Sequence, residues 1–266
     1  MSKNQSRRYI LGAILILSTL LLCVACESKK EVTGQKMTLQ LSYGSRTGTY
    51  TGTLVNNIPN GQGKFRSKNT EGDVWTYSGT FKDGHFQGQG TIWSNGQKEK
   101  GTYVNDKLNG FGKTYEDNIL FYEGNYKDGQ YNGSGKVFNK TGKVVYNGQF
   151  INRSPDKAAF KAACKYISYK DLARNPDTYK WDLIKCTGTV VQVIEGDAET
   201  QYRIAMHDDY DTIIYAGYTR RKGKSRVLEN DTVTIWGFSS GLYTYESTMG
   251  GYISIPSVVV EYLDIK

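Results

Sequence analysis

The sequence predicts a mainly β protein, in which a solenoid of β-hairpins is followed by a small five-stranded barrel with short helices at its start. Three observations support this fold class. The 266 residues contain 30 Gly and 21 Tyr but only 4 Pro, which is typical of short strands joined by tight turns. Glycines recur at a nearly constant period through the first half of the chain. Five strand-like runs, separated by turn residues, occupy the last third.

Residues 1–25 differ from the rest of the chain and are predicted to be a secretion signal. Lys3, Arg7 and Arg8 precede an apolar run from Tyr9 to Ala25, after which the chain becomes polar. A charged start, an apolar middle and a small-residue exit are typical of such a signal. The apolar run is close to the minimum length of a membrane-spanning helix, so a retained transmembrane anchor is the alternative.

The exit of this segment reads Leu22-Cys23-Val24-Ala25-Cys26. It resembles the lipobox of bacterial lipoproteins, in which a small residue precedes the cysteine that is acylated, although Cys23 replaces the usual Leu. The resemblance implies a lipoprotein signal peptide cleaved before Cys26, lipid attachment at Cys26, and a location on the extracytoplasmic face of the cell membrane. More than one acyl chain gives stable anchoring. Residues 26–42 are then expected to be a lipidated N-terminus and a polar tether.

The charge of the chain does not favour a nucleic-acid partner. Removal of residues 1–25 takes away three basic and no acidic residues, so the formal net charge falls from +8 to +5. Neither half then has the strong positive charge of a dedicated nucleic-acid binder. We expect contact with the membrane through the lipid anchor, and a partner that is an envelope protein, an anionic lipid or a wall polymer.

After processing, the only cysteines besides Cys26 are Cys164 and Cys186. In an oxidising compartment they are a candidate disulfide, which would close a loop of about 20 residues and contribute roughly 3 kcal/mol in the chain-entropy model. Two buried thiols are the alternative, because the spacing in sequence does not give their distance in the fold.

Residues 43–152 contain an internal repeat marked by glycine. A leading glycine recurs at intervals of 27, 22, 23 and 24 residues, at Gly52, Gly79, Gly101, Gly124 and Gly148. A Gly-x-Gly pair begins nine residues after each of the first four, at Gly61 and Gly63, Gly88 and Gly90, Gly110 and Gly112, and Gly133 and Gly135. Periods of this size indicate stacked supersecondary units, and the paired glycines would let successive backbones approach closely.

Two further positions have a fixed place in each unit. Five residues after the leading glycine come the residue types that best tolerate positive φ, namely Asn57, Gly84, Asp106 and Gly129. This position is predicted to be the left-handed corner of a hairpin turn. Two residues after the leading glycine comes a large apolar side chain, expected to stack on its counterpart in the next unit: Leu54, Phe81, Tyr103, Tyr126 and Phe150.

The segments YSGTFKDGHFQGQGTIWSNG and YEGNYKDGQYNGSGKVFNKTG resemble MORN repeats, whose pattern is Tyr-x-Gly-x-aromatic, a turn glycine and then Gly-x-Gly. The resemblance covers Tyr50 to Phe150 as four full units and a fifth half unit. It implies a repeat protein that acts in interaction or spacing. A phosphate-binding loop is excluded, because no Gly-x4-Gly-Lys-Ser/Thr occurs in these glycine-rich segments.

Residues 153–266 are predicted to form a second domain, with a helical lead-in before the barrel. A helix is predicted from Lys157 to Tyr166, and a second from Ser168, whose capping partner is Asp171, to Asn175. Five strand-like runs follow: Leu183 to Ile194, Gln201 to Met206, Thr212 to Tyr218, Thr232 to Phe238 and Tyr252 to Ile265.

The Ser-Tyr-Lys-Asp-Leu-Ala-Arg-Asn-Pro segment at residues 168–176 resembles the one that precedes OB-fold domains in Gram-positive lipoproteins, and the resemblance covers residues 164–266. Trp181-Asp182 stands where such segments more often have a Gly-Lys turn. OB barrels usually bind ligands on the face of strands two and three and in the flanking loops.

Two loops of this barrel hold the candidate ligand-binding residues. The loop between the fourth and fifth strands, Ser239 to Gly251, would display Tyr243 and Tyr245, and the preceding loop carries Arg220, Arg221 and Lys222. Aromatic rings with cations suit stacking on bases or sugars and binding of phosphates, or contact with anionic lipid headgroups. The alternative is a solvated basic loop and a tyrosine-rich turn packed on the barrel.

The sequence contains no convincing catalytic constellation. Its only histidines are His85, beside a repeat turn, and His207, at the start of an acidic turn that is more often a polar hairpin tip than a cation site. We therefore expect no enzyme activity, cofactor or metal. The leading hypothesis is a membrane-anchored extracytoplasmic binding or scaffolding module. The alternatives are an assembly protein that binds a protein partner through the repeat face, and a cell-wall hydrolase.

Overall fold

The computed structural model describes residues 28–196, 199–219, 223, 225–247 and 250–266. The prediction of a mainly β protein is confirmed, since this part of the chain holds sixteen strands and two short helices. The segment predicted to be a secretion signal, and the proposed lipid-attachment site Cys26, lie outside the described residues.

The first eleven strands form one antiparallel sheet in which each strand pairs with the next along the chain. We call it the repeat sheet. Its strands are β1 (Lys29–Leu41), β2 (Gly44–Val55), β3 (Ile58–Lys68), β4 (Val74–Lys82), β5 (His85–Ser94), β6 (Gln97–Val104), β7 (Lys107–Glu116), β8 (Ile119–Lys127), β9 (Gln130–Phe138), β10 (Val144–Ile151) and β11 (Ser154–Pro155). The predicted succession of hairpins is therefore confirmed.

The sheet begins earlier than the sequence predicted. Residues 26–42 were expected to include a polar tether, but Lys29–Leu41 forms β1 and pairs with β2 along its length. Apolar and polar side chains alternate at the end of this segment, as is typical of a strand with one buried face. Leu39 and Leu41 are buried on one face of β1, while Gln40 between them is exposed.

The hairpin turns have the predicted left-handed corner, and the residue before it is left-handed too. The φ angles are 52° at Asp83 and 83° at Gly84, and 47° at Asn105 and 71° at Asp106. Two successive residues with positive φ are the signature of a type I′ turn, whose twist matches that of the flanking strands. The Asp and Asn residues at the first corner are therefore as much a part of the repeat as the glycine that follows.

A buried tyrosine two residues before the leading glycine fills the apolar face of each regular unit. The ring of Tyr50 lies over Gly63 and that of Tyr77 over Gly90, and a Cβ at either glycine would come within 2.6 Å of a ring carbon. The Gly-x-Gly pairs are thus required for packing of the tyrosine as well as for approach of the strands.

The contacts between units differ from the expected stacking of like positions. Phe81 packs edge-on against Tyr50 of the preceding unit, with ring centroids 5.1 Å apart, and Tyr103 packs in the same way against Tyr77. The side chains two residues after the leading glycine were predicted to stack on one another, but each of these two packs on the tyrosine of the preceding unit instead. Edge-to-face pairs therefore link the units.

The C-terminal part begins with α1 (Lys157–Ala163) and α2 (Tyr169–Arg174), and the side chain of Ser168 accepts a hydrogen bond from the Asp171 amide as predicted. The five strands that follow form one sheet with a buried aliphatic core. They are β12 (Leu183–Glu195), β13 (Thr200–Met206), β14 (Ile213–Tyr218), β15 (Thr232–Glu246) and β16 (Tyr252–Ile265). The pairing order is β12-β13-β14-β16-β15, and β15 also pairs with β12.

Aromatic contacts join the repeat sheet to the C-terminal sheet. Phe160 of α1 is fully buried, and its ring centroid lies 5.8 Å from that of Tyr146, 5.4 Å from Phe238 and 5.7 Å from Tyr262. Trp181 adopts a φ of 69°, which is uncommon for a residue other than glycine, and packs on Phe121 of β8. These contacts make one apolar cluster of both sheets.

The candidate disulfide is absent from the structure, in which Cys164 and Cys186 are free thiols. Cys164 packs against the cluster at the junction, whereas Cys186 belongs to the core of the C-terminal sheet. Burial raises the pKa of each thiol to about 12, so both are protonated at neutral pH. In the part of the chain that the structure describes, no helix is long and apolar enough to cross a membrane.

Candidate ligand-binding face

The tyrosines expected in a loop lie on a strand. β15 continues to Glu246, so Tyr243 and Tyr245 belong to it, and the loop predicted over Ser239–Gly251 is shorter. The strand continues because its second half pairs with the start of β16. Gly241 lies at a bulge in this pairing with a φ of 95°, so it bends the strand without ending it.

Three tyrosine rings form a ladder on the C-terminal sheet. The ring centroids of Tyr215 and Tyr243 are 3.8 Å apart with an angle of 11° between the rings, and those of Tyr243 and Tyr245 are 6.1 Å apart at 22°. Tyr215 comes from β14 and the other two from β15, and both strands pair with β16. We call Tyr215, Tyr243 and Tyr245 the tyrosine ladder. Tyr243 is 36% exposed, so a ligand can reach the ladder from solvent.

Arg203 of β13 extends the ladder at Tyr245. Its guanidinium carbon Cζ lies 3.9 Å from the centroid of the Tyr245 ring, a cation–π contact, and in the strand register Arg203 lies directly opposite Tyr215. The Nε atom of Arg203 is buried and has no hydrogen-bond partner among the described residues. A buried donor without an acceptor costs about 1–3 kcal/mol, which a bound oxygen atom would offset.

A carboxylate lies near Tyr215 on the same side. Glu199 packs over Gly217 of β14, where a Cβ would come within 2.5 Å of Oε1 of Glu199. Burial raises the pKa of Tyr215 to about 12, Tyr243 and Glu199 add to this shift, and the positive charge of Arg203 opposes it. The Tyr215 hydroxyl is therefore a neutral donor at physiological pH. The face combines aromatic rings with a cation, a carboxylate and hydroxyl groups.

Other apolar side chains lie exposed on the β15–β16 hairpin, which carries two members of the ladder. Leu242 is 43% exposed, Ile253 41% and Tyr252 79%. An apolar patch beside polar groups is common at interaction sites. Ile253 pairs with Tyr245 and shares the face of the ladder, whereas Leu242 and Tyr252 alternate to the opposite face, so Ile253 gives the ladder an accessible apolar border.

His85 and Asp106 form a structural contact in the repeat sheet. The distance from Nδ1 of His85 to Oδ2 of Asp106 is 2.8 Å, and the same carboxylate accepts backbone hydrogen bonds from Ser42 and Phe86 at 2.7 Å each. Asp106 is buried and ties its own turn to β5 and to the β1–β2 turn. Its partners indicate a role in stability.

A cleft of about 240 Å³ at the junction of the two sheets is a second concave candidate, lined in part by Val144, Tyr166, Tyr179 and Asp182. The Asp182 carboxylate accepts a hydrogen bond from Nδ2 of Asn139 at 3.1 Å. Within the described ranges, no group of three or more His, Cys, Asp or Glu side chains is placed to hold a metal ion. The tyrosine ladder lies beside a buried donor that has no acceptor in the described part of the chain, and it is therefore the better candidate.

Sequence reasoning found two members of this face and missed three. Arg203, Tyr215 and Glu199 come together only through the pairing of β13 with β14. A signal for the first two is present, since each stands at a polar or aromatic position between two buried residues of a predicted strand. The cationic loop residues of the original prediction, Arg220, Arg221 and Lys222, lie outside the described residues.

A family model of the MORN repeat matches residues 50–70, 77–98, 100–118 and 122–139. The chain therefore contains MORN repeats, and the resemblance of the glycine-rich segments is confirmed. The four matches lie between β2 and the residue after β9. No curated protein matches the sequence.

Solved structures give only weak similarities. One chain, described as "p202 HIN1 in complex with 12-mer dsDNA", has 11% identity over 90% of this chain and 93% of its own length, with a TM-score of 0.25. Another, described as "Crystal structure of Ifi202 HINa domain in complex with 20bp dsDNA", has 11% identity over 90% and 98%, with a TM-score of 0.24. Such low TM-scores do not indicate a shared fold, so nothing is transferred from these proteins.

Proposed function

We propose that this chain is a non-enzymatic bacterial lipoprotein, held on the extracytoplasmic face of the membrane through Cys26, whose MORN repeats carry a ligand-binding domain. The observation that supports binding is the tyrosine ladder beside Arg203, whose Nε has no partner among the described residues. Stacked rings next to a guanidinium offer planar faces and a charged donor to one ligand.

The C-terminal domain is proposed to be an OB-type barrel. The ring of strand pairings and the resemblance of residues 164–266 support this assignment. The ladder face would then occupy the usual binding surface, because Arg203 and Tyr215 lie on the second and third strands of the domain. Tyr243 and Tyr245, on the fourth strand of the domain, would border this surface.

The repeat sheet is proposed to be a spacer between the membrane and this domain. β1 begins three positions after Cys26, so a lipid on that cysteine would lie within about 10 Å of the sheet. Ten steps of about 4.8 Å between neighbouring strands separate β1 from β11 by about 48 Å. β11 leads directly into α1, and the aromatic cluster around Phe160 would keep the joint stiff.

The ligand is proposed to be a carboxylate-bearing sugar unit of an envelope polymer. Tyrosine rings suit the apolar faces of sugar rings, and a guanidinium binds a carboxylate with charge-assisted hydrogen bonds. Such a ligand would give Arg203 Nε an acceptor, which no described residue provides. The neutral Tyr215 hydroxyl and Glu199 would contact sugar hydroxyl groups.

Calorimetric titration of the full chain with soluble wall glycan fragments tests the ladder. We expect Arg203→Ala, and the pair Tyr243→Ala with Tyr245→Ala, to weaken binding by at least about tenfold. Tyr252→Ala is the matched control, because Tyr252 is on the same hairpin and 79% exposed, and it should bind like the wild type. Equal binding by all variants would refute the assignment of the ladder.

Fractionation of cells that express Cys26→Ala tests the anchor. The wild type should sediment with membranes, whereas Cys26→Ala should be released into the soluble extracytoplasmic fraction. A Cys26→Ala protein that stays in the membrane fraction would contradict lipid anchoring and support the alternative of a retained apolar helix.

An assembly protein is the second candidate, because the repeat sheet also exposes Phe111 (60%) and Ile151 (73%). A single stoichiometric protein partner in envelope extract, retained by the Tyr243→Ala, Tyr245→Ala protein, would favour this function. Release of soluble fragments from purified walls would instead favour a hydrolase.

A further inference from the structure

The face of the repeat sheet opposite the tyrosines carries a line of lysines. The leading glycines and the second glycine of each Gly-x-Gly pair, such as Gly63, Gly79 and Gly90, lie opposite one another across the strands and point into the apolar face that the tyrosines fill. Side chains alternate along a strand, so the residue next to each of these glycines points to the other face. We call that face the polar face.

One row of the polar face crosses nine strands in continuous register. Its members are opposite one another from β2 to β10 and run Thr51, Lys64, Ser78, Thr91, Lys100, Lys113, Glu123, Lys136 and Asn147. Four of the nine are lysines and one is a glutamate. We call this the lysine row.

The charge of the lysine row is largely uncompensated. Glu123 pairs with Lys113 at 3.3 Å and with Lys136 at 3.5 Å, so one carboxylate serves two ammonium groups. Lys64 and Lys100 are exposed, and neither takes part in a salt bridge among the described residues. Like charges in a row repel one another, so an anion bound along the row would relieve that repulsion.

A parallel row adds two more cations and two aromatic side chains. Arg66, Trp93, Lys98 and Tyr115 lie in register on β3, β5, β6 and β7, two residues from the lysine row and on the same face. Trp93 is 42% exposed, and hollows lie on both sides of it, toward Lys64 and toward Arg66 and Lys98. Cations thus border Trp93 on both sides.

We propose that the polar face binds a linear polymer with a phosphate in each repeat unit, laid across the strands along the lysine row. Six strand steps separate Lys64 from Lys136, so the row is about 29 Å long. A single phosphate would reach one or two of these lysines, whereas a chain can contact all four. The cations lie in this row and, at Arg66 and Lys98, in the row on one side of it, whereas the row on the other side holds neutral pairs such as Gln62–Thr80 and Gln89–Thr102. A line of charge fits a chain better than it fits the broad surface of a membrane.

The preference for a phosphate polymer over a nucleic acid rests on the extracytoplasmic location proposed above. The binding of a phosphate polymer to the lysine row does not rest on that location. It is measured with purified components, so its failure would leave the Cys26 and ladder tests unaffected. The site is also separate from the tyrosine ladder, which lies on the C-terminal sheet.

Titration of the full chain with long-chain inorganic polyphosphate tests the proposal. Binding is followed by tryptophan fluorescence, to which Trp93 contributes, at several salt concentrations. We expect binding that weakens steeply with salt. Lys100→Gln with Lys113→Gln should weaken it by about tenfold or more and reduce the log–log salt slope by about 1.4, the value for two lost phosphate contacts. Lys170→Gln with Lys266→Gln, which changes net charge equally on the C-terminal domain, should leave both unchanged.

Three further arms identify the occupant. Glycerol phosphate at equal phosphate concentration should not compete, since it lacks the linked charges. Equal competition by glycerol phosphate, an equal loss in the control variant, or no binding of polyphosphate would overturn the proposal. Tighter binding to single-stranded DNA of matched charge would reassign the face to nucleic acid, and tighter binding to vesicles of anionic lipid would reassign it to the membrane.

Discussion

Phe160→Ala is predicted to destabilise the junction of the two sheets and to uncouple their unfolding. Phe160 is fully buried and its ring contacts Tyr146, Phe238 and Tyr262. Truncation of a buried Phe costs about 3–5 kcal/mol, and edge-on aromatic pairs add about 0.5–1.5 kcal/mol each to the burial term. Two of the three ring contacts, those with Phe238 and Tyr262, are edge-on and place the expected loss near the upper end of the range, so Tm should fall by about 10 °C or more.

Urea unfolding, followed by tryptophan fluorescence and by circular dichroism, measures this loss. The two signals should coincide in the wild type and separate in Phe160→Ala, because without the Phe160 contacts the two sheets can unfold at different urea concentrations. Phe111→Ala is the matched control, since Phe111 is 60% exposed and its loss should change stability by less than about 0.5 kcal/mol. A Phe160→Ala protein as stable as Phe111→Ala would refute the reasoning.

Three further substitutions test the repeat sheet, each by urea denaturation. Gly90→Ala should lose about 1–3 kcal/mol because its Cβ would lie 2.5 Å from the Tyr77 ring, whereas Gly251→Ala, whose Cβ would meet nothing closer than 3.8 Å, should be nearly neutral. Asp106→Ala should lose about 2–4 kcal/mol, since it leaves the Phe86 and Ser42 amides without their acceptor; an unchanged midpoint would contradict this. Burial raises the pKa of Glu99, with Arg153 opposing and Glu116 adding to the shift. The folded state then holds this proton to higher pH than the unfolded chain, so stability should fall as pH rises from the ordinary glutamate pKa through the raised one, and Glu99→Gln should remove that fall.

The repeat sheet was largely predictable from the sequence because its constraints are local. A position that lies under a tyrosine ring, or a turn position that needs positive φ, accepts few residue types. These positions recur at a fixed offset in each unit, so the sequence reveals them. The partner of each tyrosine was not predictable in this way. Phe81 of β4 contacts Tyr50 of β2, with β3 paired between the two strands. This contact depends on the register of the three strands, which the period of the repeat alone does not give.

Glu99 shows where the repeat departs from its own pattern. It occupies the position that Tyr50, Tyr77 and Tyr122 hold in other units, and Leu108 and Tyr126 fill the space over the glycines instead. The substitution is visible in the sequence, but the compensating side chains become visible only in the fold.

The candidate face was half predictable. Tyr243 and Tyr245 stand out as aromatic residues between glycines, yet their strand continues because of pairing with β16, a contact between distant residues. Arg203 and Tyr215 lie 12 positions apart in the chain and become opposite neighbours through the β13–β14 register. Sites built from several strands depend on topology, which local patterns do not specify.

Fluorine NMR of the full chain labelled with 3-fluorotyrosine tests the central claim, that the tyrosine ladder binds a ligand while the repeat sheet serves as support. Tyr→Phe variants assign the signals of Tyr215, Tyr243 and Tyr245. Addition of soluble wall glycan fragments should shift these three signals and leave those of Tyr50 and Tyr77, which are fully buried in the repeat sheet, unchanged. Shifts confined to repeat-sheet tyrosines, or no shift at saturating fragment concentration, would contradict the account.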